Sequence, residues 1–279
     1  MPKKIRLCIA GATGWAGRCL ISSILNSEDF VLSGAVARKT AGQDIGAVLG
    51  RKPLGIKISP TVAKALESPT DVVVEYTRAD AVKKNTLTAL AHGVRVVIGA
   101  SGLTQDDFEE IEAQATKRSL GVIACGNFSI TAALAKHFSL MAAKYIPQWE
   151  IVDYAHEDKI DAPSGTTREL AESLAKVGKS EIGHPINAII GQKEARGADI
   201  AGTRVHSLRL PSYILSFETI FGLPHERLTI RHDSGSGAEP YVAGTFLAVK
   251  RVGEIRGLIR GLDTLLFGSE RACISAPGN

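Results

Sequence analysis

From residue 5 to residue 125 the chain alternates short, almost wholly apolar runs with longer stretches whose apolar residues recur every three or four positions. The runs IRLCIA (5–10), FVLSGAVA (30–37), DVVVEY (71–76), VRVVIG (94–99) and LGVIAC (120–125) predict strands. Several are apolar on both faces, as parallel strands covered on two sides are. The intervening stretches 15–26, 79–91 and 104–117 predict helices, the last opening on Thr104 as N-cap with acids in its first turn. Strand and helix alternating in this way build an open parallel sheet.

Beyond about residue 128 the rhythm changes. A helical pattern over 129–144 leads into WEIVDYAHE, a strand pattern, and a further helix opens near Gly165. The segments 203–211, 213–222 and 226–234 read as consecutive strands on short turns, which implies an antiparallel or mixed sheet. Residues 190–202 read as a mobile loop, and the stretch YVAGTFLAVKRVGEIRGLI (241–259) as a terminal helix that could return to the first domain.

Composition narrows the class. The 279 residues are 44% hydrophobic and 22% charged, ordinary for a globular enzyme, and only 5% aromatic, which disfavours a base-stacking surface. The net charge of +4 comes from interspersed residues, without a basic block for nucleic acid. No apolar run reaches the length of a membrane span, and the N-terminal apolar run is too short for a signal peptide. Cys8, Cys19, Cys125 and Cys273 are far apart and lack metal-ligand spacing, so reduced thiols of a cytoplasmic protein and no metal site are expected.

The strand at 5–10 runs directly into Gly11, Ala12, Thr13, Gly14, Trp15, Ala16 and Gly17 and then a helix. Glycines there let the chain turn sharply and bring helix N-terminal N–H groups to a pyrophosphate. The spacing G-x-x-G-x-x-G is imperfect, with Thr13 where a dinucleotide turn usually has its middle glycine, and a turn serving only close packing is the alternative. Where the second strand ends, an NAD-selecting protein places an acid, whereas this chain has Arg38 and Lys39, with Asp44 the next acid. A guanidinium grips a 2′-phosphate with paired hydrogen bonds, so NADPH is the expected reductant and NADH the second candidate; a solvated basic pair is the other reading. The turns Gly99, Ala100, Ser101 and Cys125, Gly126, Asn127, Phe128 follow successive strands and are expected at the nicotinamide end.

The stretch HEDKIDAPSGT (156–166) carries the remaining chemistry. Pro163 and Gly165 shape a turn, Ser164 is a natural N-cap, and N–H groups at Gly165 and Thr166 offer an anion site. His156 and Lys159 stand just upstream, so the loop reads as a carboxylate receptor with a proton donor beside it. Ordinary surface charge is the alternative.

KIDAPSGT preceded by His, with GATGWAG, EYT (75–77), GASG (99–102) and NFS (127–129) in order along nearly the whole chain, resembles the dihydrodipicolinate reductase family of lysine biosynthesis. The resemblance implies an α/β fold: a Rossmann-like dinucleotide-binding domain from residues 1–128 and 240–279, and an α+β substrate-binding and tetramerisation domain from 129–239. It implies hydride transfer from NAD(P)H to a cyclic unsaturated dicarboxylate in a homotetramer. Gly11 to Ala16 would then hold the pyrophosphate, Arg38 and Lys39 face the adenosine ribose, and His156, Lys159, Ser164, Gly165 and Thr166 surround the substrate carboxylate. Two positions depart from the family pattern. Ala155 stands where the family has the first of two adjacent histidines, its proton donor, and Ala238 where it usually has an Arg. Lys159 or a water would then supply the proton, unless the substrate is a different cyclic imine acid. A non-catalytic NADP-binding regulator is the reading of another class.

Overall fold

The computed structural model describes residues 3–268, so Cys273 lies outside the described residues. The chain divides into two compact units, one formed by the described residues up to Ile130 together with those from Ala238 on, the other by Thr131–Gly237.

The first unit opens with β1 (Ile5–Ala10), α1 (Trp15–Leu25) and β2 (Phe30–Val36). Three short elements follow, α2 (Ile45–Val48), β3 (Ile58–Ser59) and α3 (Val62–Ala65). The alternation resumes with β4 (Val72–Glu75), α4 (Val82–Ala91), β5 (Arg95–Ile98), α5 (Gln105–Lys117) and β6 (Gly121–Ala124). Thr104 caps α5 in a reciprocal capping box with Asp107. Buried side chains from β1, β4, β5 and β6, among them Cys8, Val73, Val96 and Val122, pack with Leu90 and Ile111 of the covering helices.

The second unit contains α6 (Ile130–Ala142), which begins at the boundary, then β7 (Gln148–Ala155), α7 (Gly165–Leu174), β8 (Ala198–Ile200), β9 (Thr203–Arg209), β10 (Leu215–Leu223) and β11 (Glu226–Ser234). Its strands form a mixed sheet in the order β11-β10-β7-β9-β8, with β7 and β9 parallel and the other pairs antiparallel. Alternation along β7 puts Trp149, Ile151 and Asp153 on the core side, where the apolar ones pack against Leu170 and Leu174 of α7. The region 190–202 is not a plain loop: β8 pairs with β9 through Ala198↔Val205 to Ile200↔Thr203, giving its backbone the partners a free loop would lack.

The chain then returns to the first unit with α8 (Glu239–Arg251), β12 (Gly257–Arg260) and α9 (Leu262–Phe267). The single terminal helix expected over 241–259 is therefore corrected. α8 stops at Arg251, a 3-10 turn covers Val252–Glu254, Ile255 is already extended, and from Gly257 (φ +89°) the chain pairs in parallel with β6, Gly257↔Gly121 to Arg260↔Ala124. The finished sheet runs β12-β6-β5-β4-β1-β2-β3, parallel throughout. Strand order reverses at β1, so the carboxyl ends of β4, β1 and β2 are neighbours, the place where open α/β sheets bind ligands. Among the described residues no helix is long and apolar enough to cross a membrane.

Candidate functional site

In the first unit the glycine turn is shaped by close approach. Gly11 has φ +87°, and a Cβ on it would collide with the Tyr76 carbonyl; a Cβ on Gly17 would collide with the Gly11 carbonyl. Both glycines are therefore required sterically, one for the turn and one to seat α1 against it. Gly14 is the N-cap of α1 and makes no side-chain cap bond, and no acid occupies the first helical turn. The amino end of α1 thus offers backbone donors and the positive end of its dipole to an anion, which suits a pyrophosphate despite Thr13 in the middle position. Arg18 Nε donates to the Thr13 carbonyl at 2.9 Å, placing a cation on this turn that the sequence reading missed. Trp15 is exposed and meets Tyr241 edge to face at 5.5 Å, whereas the side chains of Ala12 and Ala16 are buried.

Arg38 and Lys39 lie exposed beyond β2. Both Arg38 Nη atoms lie 3.2 Å from Asp80 Oδ2. Asp44 instead caps α2, accepting from the N–H groups of Gly46, Ala47 and Leu54. Gly99 and Ala100 both donate to the Glu75 carbonyl, and Gly99 is glycine because a Cβ there would strike the Tyr76 ring. Ser101 and Gly126 are exposed, but Cys125 and Phe128 are core side chains, so that turn offers a ligand its backbone, Gly126 and Asn127.

Glu75, at the end of β4, is fully buried and accepts from Thr77 N–H at 2.7 Å, from the Thr77 hydroxyl and from Asn85 Nδ2 at 3.0 Å. Burial pushes its carboxyl up to about 7, against the pull of those donors. A carboxyl raised from 4.5 to about 7 stabilises the fold most below pH 4.5, and that contribution is lost as pH rises through 7. Glu75→Gln should remove a decline of roughly 3 kcal/mol over this window. Urea denaturation of both proteins at a series of pH values measures it; parallel pH profiles would show that the Glu75 carboxyl is not raised in the folded protein.

In the second unit the predicted loop hangs on a buried acid that the sequence reading did not single out. Asp153 on β7 is fully buried and accepts from Ser164 N–H (3.0 Å), Ser164 Oγ (2.6 Å), Thr167 Oγ1 (2.8 Å) and Arg209 Nη2 (2.8 Å). Burial works against its charge, yet the hydroxyl, guanidinium and amide donors together hold its carboxyl below the usual range. Ser164 Oγ also accepts from Thr167 N–H, so the expected N-cap of α7 is present and is itself bonded to Asp153. Arg209 Nη2 donates in addition to the Asp161 carbonyl at 2.6 Å, tying the loop to β9. Arg209 is the register partner of Ala155, which is fully buried.

At the head of the loop Lys159 Nζ lies 2.7 Å from Asp161 Oδ1, and the Lys159 side chain keeps a third of its exposure. His156 pairs with Asp158, Nδ1 to Oδ2 at 3.2 Å. Gly165 begins α7 at the surface with open space where a Cβ would be, and Thr166 follows it. The structure thus gathers His156, Lys159, Ser164, Gly165 and Thr166 into one loop and helix start. Ser164 faces inward as a structural cap, while Lys159 and Gly165 face outward.

Comparison with known proteins agrees with these two constructions. The family model for the dihydrodipicolinate reductase N-terminus matches residues 5–128, and that for its C-terminus matches 128–266. A 4-hydroxy-tetrahydrodipicolinate reductase from Desulfitobacterium hafniense is 40% identical over 267 residues, covering 95% of this chain and 99% of its own length. One from Moorella thermoacetica is 37% identical over 266 residues, covering 94% and 98%. Among solved structures, a dipicolinate-bound dihydrodipicolinate reductase from Paenisporosarcina sp. TG-14 superposes with a TM-score of 0.82 at 31% identity, covering 94% of this chain and 100% of its own. A glycine turn fitted to a pyrophosphate, an acid-anchored KIDAPSGT loop and full-length similarity of this degree converge on one result: the chain belongs to the dihydrodipicolinate reductase family.

Proposed function

We propose that this chain reduces 4-hydroxy-tetrahydrodipicolinate in lysine biosynthesis, with NADPH as the preferred reductant and NADH accepted. The observation that carries the proposal is the loop from His156 to Thr166, which presents an ammonium and a helix start while Asp153 holds it from within. A reduced nicotinamide, when bound, supplies a hydride to the acceptor carbon of the cyclic substrate. The backbone donors of the Gly11 to Ala16 turn hold the pyrophosphate, Arg38 and Lys39 take the adenosine ribose, and Gly99 to Ser101 with Gly126 and Asn127 border the nicotinamide end. The Gly165 and Thr166 amides and His156 bind a substrate carboxylate. Lys159 offsets the negative charge that develops as the double bond is reduced, then transfers its proton to the substrate. With Ala155 where the family's first histidine stands, Lys159 carries both roles.

The dinucleotide-binding domain is residues 1–128 with 240–279 and the substrate-binding domain 129–239, a division that the two units, with bounds two residues away, support. The sheet face of the second unit opposite α7, with Val152, Tyr154, Leu208 and Ile220 among its ion pairs, suits the interface of a cytoplasmic homotetramer. Freshly generated 4-hydroxy-tetrahydrodipicolinate with NADPH tests the reading. Oxidation of NADPH at a turnover of about 1–10³ s⁻¹ is expected. Turnover only with another cyclic imine acid would move the chain to the second reading, which Ala155 favours; cofactor binding without turnover on any such acid would make it a regulator.

A further inference from the structure

The carboxyl ends of β2 and β4 flank that of β1, and each is followed by a loop bearing one member of an ion pair. Arg38 comes two residues after β2 and Asp80 five after β4, and the guanidinium places both Nη atoms 3.2 Å from one carboxylate oxygen of Asp80. The two side chains are 66% and 59% exposed, so solvent screens the pair and a competing ligand can displace either partner at little cost. Between β2 and α2 the one carboxylate is Asp44. Ala37 precedes Arg38, and Asp44 is committed to the N–H groups of Gly46 and Ala47 in α2 and of Leu54 beyond it.

We infer that Asp80 is a specificity-determining residue which, with Arg38, forms a two-sided selector for the substituent at the ribose 2′ position. The inference rests on the reading that the glycine turn binds a dinucleotide and that Arg38 faces its ribose. A 2′-phosphate carries nearly two negative charges and needs the guanidinium that Asp80 occupies, so it must displace the carboxylate and then endure its repulsion. A free 2′-hydroxyl has no such conflict. It donates to the Asp80 carboxylate, as a ribose hydroxyl does to the acid of an NAD-selecting site, while the guanidinium keeps its partner. The carboxylate reaches the ribose from the loop after β4 instead of from the end of β2. Asp80 therefore lowers affinity for NADPH and supports NADH, narrowing the preference that Arg38 creates.

Calorimetric Kd values for NADPH and NADH, with Michaelis constants beside them, test this on Asp80→Asn, Arg38→Ala and the double variant. Both side chains are exposed, so all three proteins should melt like the parent. Asp80→Asn should tighten NADPH about three- to tenfold and weaken NADH about two- to fivefold. Arg38→Ala should weaken NADPH about tenfold or more, and adding Asp80→Asn to it should tighten NADPH by less than in the parent, because only the repulsion is then left to remove. If Arg38→Ala weakens NADPH but Asp80→Asn shifts both cofactors alike or neither, the selector is refuted while the ribose assignment stands. If the gain from Asp80→Asn is as large without Arg38 as with it, the carboxylate does not compete for the guanidinium and the selector is likewise refuted. If Arg38→Ala leaves both cofactors unchanged, the ribose assignment itself falls and the selector with it.

Discussion

Replacing Lys159 with Ala should lower kcat about 10²- to 10⁴-fold, the range over which a placed general acid acts. The expectation follows from position. Lys159 is the ammonium at the outward side of a loop whose inward side is fixed, and its ion pair with Asp161 keeps the charge oriented. Asp161 pays for some burial, but the Lys159 hydrogen bond and charge together keep its carboxyl below the usual range. Lys159→Arg separates the two roles assigned to the side chain. A guanidinium keeps the positive charge but does not give up its proton near neutral pH, so substrate affinity should survive while kcat stays low. Steady-state kinetics on both variants decides between binding and proton transfer: a change confined to KM in Lys159→Ala would make Lys159 a binding residue only.

The second large effect is expected at Asp153. Removing its carboxylate by Asp153→Ala leaves the Arg209 guanidinium largely buried without its counter-charge and leaves Ser164 and Thr167 without their shared acceptor. Breaking a buried pair from one side costs about 3–5 kcal/mol, a large share of what a domain has to lose. Asp153→Asn keeps the shape and part of the hydrogen bonding, so it should fold and be informative where the Ala variant is not. In it, KM for the substrate of the proposed reaction should rise at least tenfold as the loop loses its anchor, while affinity for the dinucleotide stays at the parent value. An unchanged KM in a folded Asn variant would show that the loop holds its form without the acid. Because its carboxyl is held below 3.8, this support is present above that pH and is withdrawn only as acid protonates the folded protein.

The parts of this architecture that were legible in the chain are those whose signal is local and repeated. The apolar runs at β1, β2, β4, β5 and β6 announced themselves, as did Thr104 and Ser164 as helix caps. The elements between residues 45 and 65 did not, because helices of four residues and a strand of two contain too few positions to show a period. β12 was hidden inside a helical pattern, since the spacing of Leu258 and Ile259 continues that of α8 although the chain is extended from Ile255 on. β8 was hidden because its residues are mostly exposed and its partner supplies the evidence for a strand.

For the site, the KIDAPSGT loop could be read from turn and cap chemistry alone. Asp153 and Arg209 could not, because their pairing joins residues on separate strands and depends on the register of β7 against β9. One signal for Asp153 was available: it falls on the same side of β7 as Trp149 and Ile151, and an acid on the apolar side of a strand demands a buried partner. Nothing in the linear pattern pointed from Arg38 to Asp80, which meet only because β2 and β4 lie on either side of β1.

The position of β12 bears on how the polypeptide matures. As translation proceeds from the amino end, β6 emerges with one flank of its backbone waiting for a neighbour that lies beyond the whole intervening unit. The nascent parallel sheet therefore keeps a bare hydrogen-bonding rim until late in synthesis, and that rim is where a chaperone or a misplaced strand from another chain would first attach.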